Sequence, residues 1–330
     1  MNTITLKNLL KEYDNKRIQA ETDLQERKEQ LLSSNIKLQE IENKINLYAF
    51  KEVQHILKTS SSTDDFKDEI LKLKNEKNRI LKSLNLPENY LLPKYECDIC
   101  KDTGYITESY NSTMCKCLKQ KIFNIEYNKA NIGNLDKENF TTFDENKFSN
   151  TPNQEKYNSS ISPRQNILNI KKLCTGFIDN FEDENEKNLL FTGNTGLGKT
   201  FLTNCIANEL LAKGKTVLYQ TSSVMLDTII DYRFGKENAP KDIYENILNV
   251  DLLIIDDLGT ETMNSLKFTE LFNIINTRLL NQKNHITKTI ISTNLSLQNL
   301  FAAYDERIVS RLVGYYNICR FFGDDLRFKK

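Results

Sequence analysis

The segment from Gly193 to Thr200 constrains the fold of this 330-residue chain more than any other. It reads Gly-Asn-Thr-Gly-Leu-Gly-Lys-Thr and matches the phosphate-binding pattern G-x-x-x-x-G-K-S/T, the Walker A loop, at every fixed position. The apolar run Asn188–Thr192 before it predicts a strand, and Phe201–Ala212 after it has the apolar spacing of a helix. This is the strand–loop–helix context that the motif requires, which argues against a chance glycine loop.

The loop has the residue types that hold a nucleoside triphosphate. Glycines let backbone N–H groups close around phosphates, and the start of the following helix adds a partial positive charge. We expect Lys199 to reach the β- and γ-phosphates and the Thr200 hydroxyl to ligate Mg²⁺. The residues predicted to bind ATP are Gly193, Asn194, Thr195, Gly196, Leu197, Gly198, Lys199 and Thr200.

Strand and helix patterns alternate from Glu186 onward, which predicts an α/β fold with a parallel sheet flanked by helices. Further strands are predicted at Lys215–Gln220, Asp251–Asp256 and Lys288–Asn294, and a helix is predicted over 223–234. The second of these strands is apolar almost throughout, as is typical of a parallel strand buried on both faces.

Polar side chains end two of these strands. Asp256 and Asp257 close the apolar run in the arrangement of a Walker B motif, in which Asp256 would hold Mg²⁺ and Asp257 would orient the attacking water. The alternative is an aspartate pair that caps a helix, which the Walker A loop upstream makes the minor interpretation. Asn294 ends the other strand, where it would contact the γ-phosphate or the water.

Three arginines near the C-terminus are candidates for phosphate contacts. Arg307 and Arg311 lie four residues apart and therefore on one face of a predicted helix. An arginine exposed at a subunit boundary can reach the γ-phosphate of a neighbouring subunit, whereas the plainer interpretation is a surface helix with solvated charges. Arg327 lies in the late segment Gly323–Arg327 and is a candidate second sensor.

Two close cysteine pairs, C-x-x-C and C-x-C, are separated by a short segment that contains a glycine. This spacing predicts a four-cysteine zinc site on a small ribbon, and four protein ligands would leave no position for a substrate. Disulfides and unpaired thiols are the alternatives. The predicted zinc ligands are Cys97, Cys100, Cys115 and Cys117. Three cysteines elsewhere are predicted to be ordinary buried thiols, namely Cys174, Cys205 and Cys319.

The first 86 residues contain no Pro or Gly, and their apolar residues recur at an imperfect heptad spacing. A turn with helix-capping residues is predicted at Ser60–Asp65, so this segment is expected to form two helices folded as an antiparallel hairpin. It would be either a solvated arm or a docking surface for a partner. The main heptad line, interrupted by Arg17, consists of Leu10, Leu24, Leu31, Leu38 and Ile45.

The segment between the cysteines and the α/β region is rich in Asn and Lys, and we interpret it as a linker that docks aromatic anchors, Phe140, Phe143 and Phe148. A lead-in helix is predicted over 162–180, with Ser162 as its N-cap and Pro163 at its first position. The predicted domains are a helical coiled-coil-like arm (1–90), a four-cysteine zinc-binding module (91–120), the linker (121–157) and the ATPase domain (158–330).

Composition narrows the class of protein. Lys and Arg together number 45, as do Asp and Glu, so contact with nucleic acid would need a local basic patch. No apolar run approaches the roughly 18 residues of a membrane span, and the first residues lack the apolar core of a signal peptide. Seven cysteines without a secretory signal favour a reducing, cytoplasmic location.

From Leu189 to Phe328 the chain resembles the AAA+ module of DnaC/DnaI-type helicase loaders. The Asp-Asp ending of the Walker B segment is typical of this subgroup, and the cysteine pairs are also similar to the loaders. IstB-type transposition helper ATPases are similar over the same C-terminal region. The segments that carry the resemblance are Gly193–Thr200, Leu253–Gly259, Ser292–Leu295, Glu306–Leu312, Gly323–Arg327 and, in the linker, Asn139–Asp144.

The resemblance implies an AAA+ ATPase that works as a switch with ATP, Mg²⁺ and Zn²⁺ as cofactors. Such loaders bind ATP, contact single-stranded DNA and deliver a hexameric replicative DNA helicase onto it, with the N-terminal part binding the helicase. It also implies self-association through the AAA+ domain. The implied catalytic residues are Lys199, Asp256, Asp257, Asn294 as first sensor, Arg311 as the finger that acts on a neighbouring subunit, and Arg327 as second sensor.

Three other functions remain open. An IstB-like transposition helper is the nearest, because it shares the ATPase module. A small-molecule P-loop kinase would need an acceptor pocket and a mobile lid, for which the sequence offers no candidate. A non-hydrolysing adaptor would use the arm and the zinc ribbon, and it would keep its function after Lys199→Ala.

Overall fold

The computed structural model describes residues 3–59, 64–108, 111–126, 137–235, 242–281 and 285–328. The chain divides into two compact units, one of Leu10–Ser112 and one of Met1–Leu9 with Thr113–Lys330. The helices are α1 (Thr3–Ser34), α2 (Ile36–Thr59), α3 (Asp64–Ser83), α4 (Lys116–Glu126), α5 (Gln154–Tyr157), α6 (Pro163–Asp179), α7 (Lys199–Ala212), α8 (Ser222–Arg233), α9 (Ile243–Asn249), α10 (Ser265–Asn281), α11 (Leu297–Ala303) and α12 (Glu306–Tyr315). The strands are β1 (Tyr105–Glu108), β2 (Asn111–Met114), β3 (Asn188–Thr192), β4 (Val217–Thr221), β5 (Leu252–Leu258), β6 (Lys288–Thr293) and β7 (Tyr316–Arg320).

The C-terminal unit is built on a parallel five-stranded sheet in the order β4-β5-β6-β3-β7. Successive strand residues face opposite sides and enter two separate cores, so Leu190 packs in one core and Leu189 in the other. Helices α6 and α7 contribute to the core that contains Leu189, and α8 to α12 contribute to the core that contains Leu190. The α/β prediction, with a parallel sheet flanked by helices, is confirmed.

Strand β6 lies between β3 and β5 although it comes after both in the sequence. Ile290 of β6 is the register partner of Leu189 in β3 and of Ile254 in β5. Because all three strands are parallel, their carboxyl ends meet at one edge of the sheet. The Walker A loop, which follows β3, and the Walker B residues at the end of β5 therefore lie on either side of β6.

The boundaries of most predicted elements are close to those observed. Strand β5 continues to Leu258, two residues past its predicted end, and β4 begins at Val217 rather than Lys215. Helix α6 begins as predicted, because the Ser162 side chain accepts a hydrogen bond from the Gln165 backbone N–H and Pro163 takes the first helical position. Cys174, Cys205 and Cys319 are buried, as predicted.

The prediction of two N-terminal helices is wrong, because the structure has three. The first helix ends at Ser34, where the hydroxyls of Ser33 and Ser34 donate back to the carbonyl oxygens of Gln30 and Leu31. Asn35 Oδ1 then accepts a hydrogen bond from the Leu38 backbone N–H at 3.0 Å, as an N-cap of α2. The heptad line across this point therefore belongs to two helices.

Helices α2 and α3 pack against each other in the antiparallel sense that the sequence predicted. Glu42 pairs with Lys77 near one end of the pair, and Tyr48 contacts Phe66 nearer the other. Of the turn predicted at Ser60–Asp65, residues 60–63 lie outside the described part of the chain.

Helix α4 protects the exposed edge of the sheet. The Gln120 amide donates to the Val217 carbonyl oxygen at 3.0 Å and accepts from the Val217 backbone N–H at 2.7 Å, so it occupies both hydrogen-bonding positions of that residue on β4. Lys116 pairs with the buried Asp251 at 3.0 Å. Helix α4, which begins between the two cysteines of the second pair and contains Cys117, is thus part of the α/β unit.

A buried arginine joins three segments beneath the sheet. Arg278 is 1% exposed, and its guanidinium donates to the carbonyl oxygens of Ile247 (2.7 Å), Val250 (3.0 Å) and Lys288 (2.7 Å). Burial lowers the pKa of Arg278 to about 9, so the group remains protonated at neutral pH. These carbonyl oxygens compensate its charge together with the nearby Asp251 carboxylate, which opposes the lowering of the pKa.

We expect Arg278→Met to lower the free energy of unfolding by about 3 kcal/mol, because it leaves several buried carbonyl groups without donors. Urea unfolding followed by circular dichroism measures this loss. Arg17→Met is the control, since Arg17 is exposed and pairs with the exposed Asp14. Equal losses for the two variants would contradict the role given to Arg278.

Candidate functional site

The Walker A loop leaves β3 after Thr192 and returns into α7 at Lys199. Gly193, Gly196 and Gly198 have φ values of 137°, 73° and 91°, which favour glycine. A Cβ atom at Gly193 would also collide with the Phe321 carbonyl oxygen, and one at Gly196 would collide with the Asp325 carboxylate. The glycines predicted from the motif are therefore required by the backbone itself.

Lys199 lies inside this loop and is 6% exposed. Its Nζ donates to the carbonyl oxygens of Gly193 (2.6 Å) and Asn194 (2.7 Å) and to Asn294 Oδ1 (2.8 Å). Burial lowers the pKa of Lys199, while Asp257 and Asp256 oppose this effect. The structure thus brings together Lys199 and Asn294, which are far apart in sequence. Thr200 follows in the first turn of α7 and is exposed.

The two acidic residues have different surroundings. Asp256 is 7% exposed and accepts hydrogen bonds from the Tyr219 hydroxyl at 2.6 Å, from the Ser292 hydroxyl and from the Asp257 backbone N–H at 3.1 Å. Asp257 is partly exposed, and the Asn294 amide donates to its Oδ1 at 3.4 Å. Burial, followed by repulsion from Asp256, raises the pKa of Asp257.

The donor set at Asp256 suits Mg²⁺. Its carboxylate is buried, and among the described residues no lysine or arginine forms an ion pair with it. A buried carboxylate needs a compensating charge, and oxygen ligands are those that Mg²⁺ prefers. Asp256 and the Thr200 hydroxyl are the residues that would hold the ion.

An apolar cavity of about 230 Å³ adjoins the Walker A loop at Gly198. The Phe143 ring lies 6.3 Å from Phe148 and 6.2 Å from Phe201, centroid to centroid, and the Lys171 ammonium sits 4.4 Å from the Phe143 centroid. These dimensions and aromatic walls suit a flat heterocycle. The cavity is lined by Thr142, Phe143, Asp144, Lys147, Phe148, Ile167, Gly198, Phe201, Leu202, Leu326 and Arg327.

Sequence reasoning treated Phe140, Phe143 and Phe148 as anchors of a linker and did not predict this cavity. The anchoring is confirmed, because Phe148 is buried and the other two pack against the core that contains Leu189. The available signal was a cluster of aromatic residues in an otherwise polar segment. What the sequence could not supply was their position beside Phe201 of α7.

Arg327 lies beside the same site. The Leu326 backbone N–H donates to the Gly196 carbonyl oxygen at 2.9 Å, which ties this C-terminal segment to the Walker A loop. Arg327 pairs with Asp325 at 2.5 Å, and its hydrogen bonds lower the pKa of the Asp325 carboxyl to about 2. Of the three candidate arginines, Arg327 is the one that lines the apolar cavity.

Arg307 and Arg311 lie on α12, as predicted, and both stack over the Phe272 ring at 5.1 and 4.5 Å from its centroid. Arg311 Nε also donates to Asn276 Oδ1 at 2.8 Å, and Arg307 pairs with Asp305. Within the described part of the chain, neither arginine hydrogen-bonds to the Walker residues. The structure does not join them to the cluster formed by the other candidates.

Two hydrogen-bonding groups around the site were not predicted from the sequence. The first comprises Tyr219 and Ser292, which donate to Asp256; burial and the nearby Asp256 charge raise the pKa of Tyr219, so its hydroxyl keeps the proton. The second is Glu261, which is 8% exposed and accepts from Ser222 Oγ (2.5 Å), from the Gly259 backbone N–H (2.9 Å) and from the Tyr304 hydroxyl.

The four predicted zinc ligands come together, because their sulfur atoms all lie within 4.8 Å of one another. Between the two pairs, β1 and β2 form a two-stranded sheet, as expected of a ribbon. Asp102 shapes the first pair by accepting from the backbone N–H groups of Glu96 and Cys97 at 2.9 Å each. Sulfur atoms around a tetrahedral zinc ion lie about 3.8 Å apart, so this thiol set fits the metal.

Within the described part of the chain, no helix has the length and apolar character to cross a membrane.

Comparison with known proteins places these residues in a family. The profile of the IstB-like ATP binding protein family matches residues 142–330, a range that includes the Walker A loop, Asp256, Asp257, Asn294 and the three arginines. The replicative helicase loader DnaC of Escherichia coli K12 is 27% identical over 145 residues, which are 44% of this chain and 57% of that protein. The chromosomal replication initiator DnaA of Wolinella succinogenes is 36% identical over 127 residues, 37% of this chain and 26% of that protein.

A solved structure of a DnaC helicase loader is 23% identical, with a TM-score of 0.42, and the comparison covers 52% of this chain and 96% of that one. The chain spans about half the length of the curated DnaC relatives it matches. The family profile covers more than half of this chain and contains the whole nucleotide-site cluster. The protein therefore belongs to the IstB-like ATP binding protein family, and it is similar to the replicative helicase loader DnaC.

Proposed function

We propose that this protein is an ATP-dependent loader that binds a replicative DNA helicase and single-stranded DNA and promotes delivery of the helicase during DNA replication. The observation that carries the proposal is the cluster of Lys199, Asn294, Asp256 and Asp257 at one sheet edge, next to an apolar cavity. This cluster has the residues needed to bind and hydrolyse ATP. Relatives of the DnaC type are replicative helicase loaders, and we propose the same process for this protein.

In this proposal the aromatic cavity holds the adenine, and the backbone N–H groups of residues 193–198 hold the phosphates. Lys199 neutralises phosphate charge, and Asn294 positions the γ-phosphate and the water. Asp257 orients that water for attack, since it is partly exposed beside Asn294. Asp256 and Thr200 hold Mg²⁺, which when bound would neutralise the charge that develops during phosphoryl transfer.

Two arginines would complete the reaction. Arg327 would act as the second sensor, because it lies at the rim of the base cavity and is tied to Gly196 through its neighbour Leu326. Arg311 would act on the nucleotide of a neighbouring copy, which requires self-association through the AAA+ domain. Its stacking on Phe272 and its bond to Asn276 would hold the guanidinium in a fixed direction.

The N-terminal helices would bind the helicase, and the α/β unit would bind ATP and single-stranded DNA. Helix α2 supports this division, because apolar side chains at three- and four-residue spacing remain exposed along it: Leu47, Phe50, Val53 and Leu57.

A transposition helper is the second candidate, favoured by the matched family's IstB-like description. The four-part domain division and a cytoplasmic location remain predictions.

Three substitutions should separate the steps of the ATP cycle. We expect Lys199→Ala to weaken ATP binding, and Asp257→Asn to bind ATP but turn it over at least about 100-fold more slowly, since it loses the group that orients water. Arg311→Ala should spare binding and lower turnover only in the assembled protein. Binding of a fluorescent ATP analogue and phosphate release at several protein concentrations measure these effects. Wild-type binding and turnover in all three variants would contradict the assignment.

The thiol cluster should hold one zinc ion per chain. Metal analysis of freshly purified protein measures its content, and Cys115→Ser should reduce it because four thiolates form the closed site. Cys205→Ser is the matched control, since that buried thiol lies outside the cluster. A chelator should unfold the ribbon and leave ATP binding largely intact. Protein without zinc, in which all four thiols react with a thiol reagent, would refute this prediction.

The helicase function is tested with the full chain. We expect it to retain the replicative helicase of its host in a pull-down and to promote helicase binding to a single-stranded oligonucleotide with ATP. Its own DNA affinity should fall steeply with salt, because phosphate contacts dominate such binding. Leu57→Glu should weaken helicase retention, whereas Leu280→Glu, at another exposed leucine, should not. Stimulation by a transposase and no helicase binding would favour the second candidate.

A further inference from the structure

The Asp256 carboxylate has an uneven set of hydrogen bonds. Its Oδ1 accepts two, from the Ser292 hydroxyl and from the Asp257 backbone N–H. Its Oδ2 accepts one bond from a described residue, the Tyr219 hydroxyl at 2.6 Å. A carboxylate oxygen has two lone pairs, so Oδ1 is fully used and Oδ2 keeps one lone pair available.

The place of Tyr219 in the sheet explains how it reaches this oxygen. Thr221 of β4 is the register partner of Asp256 in β5. Tyr219 lies two residues earlier on β4 and therefore on the same face as Thr221. Its ring is buried in the core that contains Leu189, with 1% of the residue exposed. A rigid, packed ring thus holds the hydroxyl against Asp256 from the neighbouring strand.

We infer that Tyr219 is a positioning residue for Mg²⁺: its hydroxyl directs the remaining Oδ2 lone pair of Asp256 toward the metal or a metal-bound water. This inference rests on the proposed function, because it concerns the cation that accompanies ATP. Groups that hydrogen-bond to a metal ligand fix its direction, and their loss commonly weakens metal affinity by roughly 10- to 100-fold. Ser292 alone would hold Oδ1 but leave the position of Oδ2 less restricted.

The test removes one hydroxyl with Tyr219→Phe. Mg²⁺ is titrated into a complex of the protein with a fluorescent, non-hydrolysable ATP analogue, and the Mg²⁺ concentration at half-saturation is measured. We expect that concentration to rise roughly 10-fold, while affinity for the analogue in EDTA stays within about twofold of wild type. Tyr316→Phe, which removes another buried tyrosine hydroxyl away from the Walker residues, should leave both values unchanged.

A double-variant cycle distinguishes positioning from simple packing. If Tyr219 acts through Asp256, then Tyr219→Phe should raise the half-saturating Mg²⁺ concentration in the wild-type background and change it little in Asp256→Asn. An equal effect in both backgrounds, or a Tyr219→Phe protein with wild-type Mg²⁺ dependence, would overturn the inference and leave the ATP site intact. A wild-type protein whose analogue binding ignores Mg²⁺ would instead overturn the proposed function together with this inference.

Discussion

The pairing of β6 between β3 and β5 determines the geometry of the whole candidate site. Parallel neighbours are about 4.8 Å apart, so the end of β6 is one strand away from both the Walker A loop and the Walker B residues at the end of β5. Asn294 follows β6, and its amide uses both of its atoms there: Oδ1 accepts from Lys199 at 2.8 Å and Nδ2 donates to Asp257 at 3.4 Å. One side chain thus joins Lys199 of the Walker A motif to Asp257 at the end of β5, because the sheet places it between them.

The sequence alone was sufficient to predict those segments whose conformation depends on their own residues. The Walker A loop was predictable because its glycines must take positive φ values, and β5 was predictable because a doubly buried strand is apolar almost throughout. Strand order and register could not be predicted from the sequence, because they depend on which segments pack together. The bond from Tyr219 to Asp256 joins residues 37 apart in sequence, and nothing in either segment marks the other as its partner.

In the N-terminal helices a local sequence pattern predicted the type of structure correctly but the number of helices wrongly. Heptad spacing predicts helix correctly over a long stretch. It does not reveal a break between two helices when the apolar spacing continues across that break. Here two serine hydroxyls and the Asn35 side chain satisfy the backbone groups of the interruption, so ending one helix and starting another costs little.

The C-terminal end of β5 has a strained backbone where the proposed chemistry needs it. Asp257 has φ of 54°, an unfavourable conformation for a residue with a side chain. Its carbonyl oxygen accepts from the Thr260 hydroxyl at 2.9 Å and lies 3.1 Å from Ser222 Oγ, whose single proton is nearer Glu261 at 2.5 Å. Glu261 therefore stabilises the conformation of Asp257 indirectly, because it hydrogen-bonds to Ser222 and to the Gly259 backbone N–H beside it. In this conformation the Asp257 carboxylate accepts a hydrogen bond from the Asn294 amide at 3.4 Å.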